Sequence, residues 1–140
     1  MLAGARVMRR LGFVKEFRWI HALDELLSAV AYLGPVVFGC DWRKGMSKPD
    51  PDGFVAPTGG WRGKHCVLIN RLHVVRAEDG TPDRHLSWIG FQNSFGADWG
   101  LDGSARVRLQ DMERLVTDMD ACVPLFMSNG SLGTDIEVDS

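Results

Sequence analysis

The segment GGWRGKHCVLIN, residues 59–70, places His65 between a run of glycines and a hydrophobic stretch that is typical of a β-strand. Later in the chain, FQNSFGADWGLDGSARVRL, residues 91–109, places Asn93 at the end of a second such stretch, before a turn rich in glycine and aromatic residues. Two neighbouring strands would bring the imidazole and the carboxamide together at their ends. The two segments therefore predict a polar pair at the rim of one sheet.

The remaining pattern predicts helices that flank this sheet. Apolar residues at helical spacing predict three helices, over residues 2–11, 23–33 and 111–119. β-Favouring runs predict four strands, over residues 36–38, 66–75, 86–93 and 104–110. The fold class expected from these elements is α+β, with an antiparallel sheet.

Two segments lack such periodicity. Residues 45–63 are rich in proline, glycine and aspartate and predict a long surface loop, and loops of this length are often functional. Trp42 and Trp61 bracket this loop and are the tryptophans to test first for ligand contact. The residues after Ser128 are acidic. We expect one domain over residues 1–127, followed by a flexible acidic tail over residues 128–140.

Composition excludes several classes of function. The chain has 140 residues, 24% of them charged, with a net charge of −2 and scattered basic residues, which argues against nucleic-acid binding. No apolar run approaches the roughly 18–20 residues of a membrane span, and the N-terminus lacks the apolar stretch of a signal peptide, so we expect a cytoplasmic protein. Three cysteines without CxxC spacing indicate neither a disulfide framework nor a zinc site, and we expect no metal and no cofactor.

Three short blocks of sequence follow one another along the predicted elements. They are Gly34-Pro35-Val36 after a predicted helix, Lys64-His65-Cys66-Val67 at the start of a strand, and Asn93-Ser94-Phe95-Gly96 followed by Trp99-Gly100 and Asp102-Gly103. In these blocks and their order, over at least residues 23–109, the chain resembles the C-terminal half of the papain-like cysteine peptidases, which carries the histidine and the asparagine of that family. The resemblance implies a papain-like α+β fold, with a sheet lobe, flanking helices and an incomplete helical lobe.

The resemblance also implies a role for each matching position. His65 would accept the proton of a thiol and later protonate the leaving amine, and Asn93 would hold the imidazole in the productive tautomer. Phe95 stands where the family usually has tryptophan, and it would shield the hydrogen bond between them from water. Gly39, Cys66 and Trp99 would bind substrate, the first two by shaping the specificity pocket and Trp99 by flanking the leaving-group side of the cleft.

The nucleophile of the family has no counterpart in the sequence. In the family it lies on a helix near the mature N-terminus, in a Cys-Gly-Ser/Ala-Cys-Trp/Tyr context, and Cys40, Cys66 and Cys122 lack that context. Cys66 is excluded further because adjacent residues of a strand point to opposite faces, whereas the exclusion of Cys40 is weaker. The predicted first helix and the following GFVKEFRW resemble the end of the helical lobe. We therefore expect this chain alone to be inactive.

Three interpretations follow from the missing thiol. In the first, a partner or an upstream segment supplies the cysteine, and the chain hydrolyses peptide or amide bonds by a thiol mechanism. In the second, the chain is a pseudopeptidase that binds a peptide or a protein without cleaving it. In the third, its five tryptophans bind cell-wall glycans. The surface that the missing lobe would cover should be apolar, so we expect a homodimer or a partner chain on it.

Overall fold

The computed structural model describes residues 2–126 and 135–139. Three helices flank the sheet: α1 (Leu2–Arg10), α2 (Leu23–Tyr32) and α3 (Leu109–Leu115). The strands are β1 (Val14–Ile20), β2 (Val36–Arg43), β3 (Trp61–Val75), β4 (Trp88–Gln92), β5 (Ser104–Arg108), β6 (Asp120–Phe126) and β7 (Asp135–Asp139). Two single-turn 3-10 helices, Lys44–Met46 and Val116–Asp118, follow β2 and α3.

The strands form one sheet in the order β1-β6-β2-β3-β4-β5, with β7 beside the far end of β3. All pairings are antiparallel except that of β7, which runs parallel to β3. This mostly antiparallel sheet with flanking helices confirms the predicted α+β class. Among the described residues no helix is long and apolar enough to cross a membrane.

The alternation of buried and half-buried residues along β2 fixes which side of the sheet faces the core. Val36, Phe38, Cys40 and Trp42 are all buried, and the residues between them are half-buried. Such a period of two is what a strand with one core-facing side requires. The residues of β3 that face the same core are His65, Val67 and Ile69, because the β2–β3 register pairs them with Cys40, Phe38 and Val36.

Helix α2 covers this core with one face. It begins with two acidic residues, which suit the positive end of the helix dipole, and the side chain of Glu25 accepts the backbone N–H of His21 at 2.8 Å. Leu26, Ala29 and Val30 are buried at helical spacing against the sheet. Truncation of a fully buried leucine such as Leu26 costs about 2–5 kcal/mol in proteins, so this helix is a main contributor to the stability of the core.

The predicted long loop is confirmed between the first 3-10 helix and β3, but it is firmly attached. Met46 and Val55 are buried in the core. The backbone N–H of Val55 donates to the carbonyl of Arg106 at 2.9 Å, and the N–H of Gly45 donates to Thr58 at 2.9 Å. These contacts hold the loop against the sheet, and β3 starts at Trp61, earlier than the strand predicted from residue 66.

The structure adds strands β1, β6 and β7, near the ends of the chain, to those expected. The segment matched to the end of the helical lobe, residues 2–19, contains the predicted helix as α1 and then most of strand β1, which pairs with β6, a strand that the sequence analysis did not predict. Residues 135–139 of the predicted flexible tail form β7, whereas residues 128–134 and 140 of that tail lie outside the described residues. Pro124 obscured β6, and it is tolerated because only β1 lies beside it: the β2 ladder covers residues 120–122 of β6.

Candidate active site

The first feature of the site is the hydrogen bond between two strand-end side chains. His65 lies near the start of β3 and Asn93 follows β4 directly. Asn93 is held by its own backbone N–H, which donates to the carbonyl of Gly103 at 2.9 Å, and its side chain is buried. The Nε2 atom of His65 lies 2.8 Å from Oδ1 of Asn93. The structure thus brings together the two predicted catalytic residues.

The surroundings of Asn93 decide the tautomer of His65. Oδ1 of Asn93 also accepts the backbone N–H of Ser94 at 2.8 Å, so this atom is the amide oxygen and not the amide nitrogen. An oxygen of this kind accepts and cannot donate, so Nε2 of His65 carries the proton. Nδ1 then holds a lone pair in the neutral ring. The hydrogen bond between His65 and Asn93 therefore leaves Nδ1 of the histidine able to act as a base.

Two aromatic rings enclose the imidazole. The ring of Phe95 stacks on it, with centroids 4.8 Å apart and an interplanar angle of 29°. The indole of Trp42 meets it at 67°, with centroids 4.7 Å apart. Apolar rings exclude water from the neighbourhood of a hydrogen bond and so strengthen it. Phe95 thus lies where the sequence analysis expected a shield, and Trp42 is a second wall that was not assigned to the site.

An open groove of about 610 Å³ runs beside the histidine. Its lining residues come from four parts of the chain: Gly39, Cys40, Lys64, His65, Cys66, Ser94, Asp118 and Asp120. Gly39 lies opposite Cys66 on β3 and opposite Asp120 on β6, and as a glycine it leaves the space between those two side chains open. Gly39 and Cys66, both predicted to shape a specificity pocket, therefore border the same groove as His65.

The charged groups near the groove include one close ion pair. Nζ of Lys64 lies 2.8 Å from Oδ1 of Asp41. The hydrogen bond from Lys64 lowers the pKa of the Asp41 carboxyl, and the same bond raises the pKa of the Lys64 ammonium. Asp118 and Asp120 add two carboxylates to the lining. Over residues 2–126 and 135–139, no group of three or more His, Cys, Asp or Glu side chains is placed to hold a metal ion.

None of the three cysteines is an activated thiol. Burial raises the pKa of Cys40 to about 12, with Asp41 as a further cause. Burial also raises the pKa of Cys66 and of Cys122. The thiolate is the nucleophilic form, so these shifts work against attack at neutral pH. Cys66 is exposed, but β3 directs it to the face opposite His65, as strand alternation predicts.

Trp99, which the resemblance places on the leaving-group side of the cleft, is not among the residues that line the groove beside His65. Its Nε1–H donates to the backbone carbonyl of Ser47 at 2.9 Å. Its ring packs against Trp42 and Phe95, at centroid distances of 6.3 and 5.5 Å. Trp99 therefore connects the long loop to the turn that carries Asn93.

The sequence analysis missed Trp42, Ser94 and Asp120 as parts of the site. Trp42 was named with Trp61 as a residue to test first for ligand contact, but it was not placed beside the histidine because the strand was predicted to end at Phe38. The alternation continues through Cys40 to Trp42 and would have placed the indole on the face of the histidine. No local signal marks Asp120, since it reaches the groove through the pairing of β6 with β2.

The α+β architecture and sheet described above match those of papain-like cysteine proteases. Solved structures that are similar to this chain include xylellain, a cysteine protease from Xylella fastidiosa, with 20% sequence identity and a TM-score of 0.58 over 81% of this chain. A second is the bromelain protease from Ananas comosus in complex with the E64 inhibitor, with 15% sequence identity and a TM-score of 0.50 over 81% of this chain. A third is digestive procathepsin L 3 of the Tenebrio molitor larval midgut, with 18% sequence identity and a TM-score of 0.51 over 81% of this chain.

These similarities concern the fold and only part of each protease. The chain covers 41% of xylellain, 51% of the bromelain protease and 36% of procathepsin L 3. It thus spans about half or less of the length of each protease. No protein-family profile matches the sequence, and no curated protein matches it.

Proposed function

We propose that this chain is the lobe of a papain-like cysteine peptidase that carries the histidine and the asparagine, and that a partner polypeptide or an upstream segment supplies the thiol. The observation that carries the proposal is the His65–Asn93 pair, with its fixed tautomer, beside an open groove. The resemblance of the fold to papain-like proteases supports it. The ligand of the groove is a peptide or protein substrate.

The proposed reaction uses Nδ1 of His65 twice. Nδ1 first accepts the proton of the incoming thiol, and the resulting thiolate attacks the carbonyl carbon of the scissile amide. As the carbon–nitrogen bond breaks, the imidazolium returns that proton to the leaving amine, and a thioester remains. Nδ1 next takes a proton from water, whose oxygen attacks the thioester carbonyl, and the thiol leaves with the proton. Asn93 accepts the Nε2–H throughout and keeps the ring in one orientation.

The source of the thiol is the second part of the proposal. The sequence contains three cysteines, and their environments raise the pKa of each of them. The larger size of the similar proteases leaves room for a complementary segment. Large apolar side chains on α1 and the turn after it, namely Val7, Met8, Leu11 and Phe13, are exposed and provide a surface for such a partner or for a second copy of the chain.

Labelling by an epoxysuccinyl probe tests this function. The chain is isolated from its natural source with its native partners, and the thiol that reacts is located by mass spectrometry. We expect labelling of a cysteine outside this chain, lost in His65→Ala and retained in His85→Ala, which replaces an exposed histidine away from the groove. The absence of thiol-dependent labelling in every native complex, or labelling that persists in His65→Ala, would show the proposal to be wrong.

A second candidate function is peptide binding without cleavage, as in a pseudopeptidase. The observation that favours it is the raised pKa of all three thiols, which leaves this chain without a nucleophile of its own. Peptide binding that is unchanged in His65→Ala, measured by calorimetry with peptides recovered from the native complex, would favour this function. Turnover that is lost on the same substitution would exclude it.

A further inference from the structure

Trp42 occupies an enclosed position next to the imidazole of His65. It lies on β2, it is 5% exposed, and its ring centroid is 4.7 Å from that of His65. In the β2–β3 register it lies opposite Gly63, so no side chain faces it directly. A large aromatic side chain can reach the diagonal neighbour on the adjacent strand, which here is His65.

Phe95 contacts the same imidazole from a much less restrained position. It is 49% exposed and lies in the turn after Asn93, where residues 94–98 are all exposed. Trp42, in contrast, is fixed on a paired strand and contacts the rings of Phe91, Phe95 and Trp99. The stacked ring is therefore the outer wall of the site, and the indole is the rigid inner one.

We propose that Trp42 is a positioning residue that fixes the ring plane of His65, so that Nε2–H points to Asn93 and Nδ1 remains available to the groove. One hydrogen bond to Asn93 leaves the imidazole free to pivot about that contact. A second ring at 67°, buried on a paired strand and packed among three other aromatic rings, restricts this freedom. A role for Trp42 in catalysis rests on the proposed function, whereas its role in fixing the ring plane of His65 does not.

The tautomer of His65 provides the test. The ¹⁵N shifts of its two ring nitrogens and the exchange of its Nε2 proton are measured by NMR at pH 8.5, where an unperturbed imidazole is neutral. Beyond the burial of its surface, a contact between two aromatic rings changes an equilibrium constant by a factor of roughly 2–12. We expect Trp42→Leu to increase the population of the Nδ1–H tautomer by about that factor and to speed exchange of the Nε2 proton. Trp42→Phe should restore most of the native behaviour.

A matched variant separates positioning from general loosening of the core. Phe91 is buried and contacts Trp42 and Trp99, but none of its ring contacts is with His65. Phe91→Leu should therefore lower stability and leave the tautomer unchanged. If Trp42→Leu does not fold, Trp42→Met, whose longer and more flexible side chain adapts better to an irregular space, is measured instead. Native ¹⁵N shifts in a folded Trp42→Leu or Trp42→Met protein, or an equal change in Phe91→Leu, would overturn the inference.

The same variants distinguish this inference from the proposed function. The NMR measurement needs no thiol and no partner. A shifted tautomer in a protein whose native complex shows no thiol-dependent labelling would uphold the positioning role and remove the peptidase function. A native tautomer in Trp42→Leu, together with labelling that depends on His65, would remove the positioning role and uphold the peptidase function.

Discussion

Cys40 lies directly across the β2–β3 ladder from His65, yet its thiol is buried and its pKa is raised to about 12. The cysteine closest to the histidine in strand register is thus the one least able to form a thiolate. With its pKa raised this far, the Cys40 thiol stays protonated at neutral pH. The register of the sheet therefore places a buried, protonated thiol, and not a thiolate, opposite the histidine.

Alkylation of the native protein tests this conclusion. We expect iodoacetamide at pH 8 to modify Cys66 first, because it is exposed, and to leave Cys40 unmodified, as located by peptide mass spectrometry. The protein unfolded in guanidinium chloride serves as the control, and all three cysteines should react there. Modification of Cys40 at the rate of Cys66 in the native protein would contradict the raised pKa and reopen Cys40 as a nucleophile.

Asn93 should contribute to stability mainly through its side-chain oxygen. Asn93→Ala removes the acceptor of two N–H groups, one on the half-buried His65 and one on the exposed Ser94, and each lost hydrogen bond costs about 0.5–1.5 kcal/mol. We expect the free energy of unfolding, measured by urea denaturation, to fall by about 1–3 kcal/mol. The buried Nδ2 has no protein hydrogen-bond partner among the described residues, so Asn93→Asp removes no donated bond. A loss in Asn93→Asp as large as that in Asn93→Ala would contradict this account.

The glycine of the Trp99-Gly100 block should be required for its space as well as its backbone angle. Gly100 has φ of +62°, and a Cβ there would collide with the backbone carbonyl oxygen of Ser104. Gly96 has φ of +95°, and a Cβ there would meet nothing within 4 Å. The matched pair separates strain from collision: we expect Gly96→Ala to cost about 1–2 kcal/mol and Gly100→Ala about 1–3 kcal/mol more. Equal losses in thermal or urea denaturation would refute this explanation.

Acid should weaken the fold through the turn that precedes β4. The carboxylate of Asp83 accepts the backbone N–H groups of Leu86 and His85, and these bonds lower its pKa from the usual 3.8. A lowered pKa in the folded state means that the stabilisation is complete above about pH 4 and is lost as the pH falls through the folded value. Asp83→Asn keeps an acceptor oxygen and loses the titration. We expect the urea midpoint of Asp83→Asn to fall less between pH 5 and pH 2.5 than that of the wild type. If the midpoints of the two proteins fall equally with pH, Asp83 is not a cause of the loss of stability in acid.

The elements that the sequence predicts well are those set by local patterns. The helix that became α2 has apolar residues at helical spacing and a Gly-Pro stop, and the strands around His65 and before Asn93 have β-favouring residues bounded by turns. The end positions of these strands were enough to predict that the two side chains are neighbours. Their hydrogen bond at 2.8 Å agrees with that expectation.

The elements that the sequence analysis missed depend on distant parts of the chain. β1 has a register shift between Val14 and Glu16 that interrupts its alternation, and β6 contains Pro124, a residue that is uncommon inside strands. Each becomes a strand because the other lies beside it. The resemblance to the family predicts Trp99 on the leaving-group side of the cleft, but the donation of its indole N–H to the carbonyl of Ser47 in the long loop could not be predicted. Such long-range partners leave no periodic signal in the sequence.

The pairing of β1 with β6 has a consequence for how the polypeptide matures. β1 has β6 as its sheet neighbour, and β6 begins about a hundred residues after β1 ends (120 − 20). Until β6 has been made the edges of β1 are unpaired, and exposed strand edges are sites of aggregation. Contacts between such distant residues slow the final collapse of a chain. Folding therefore depends on rapid synthesis of the residues between the two strands, or on a chaperone that covers β1.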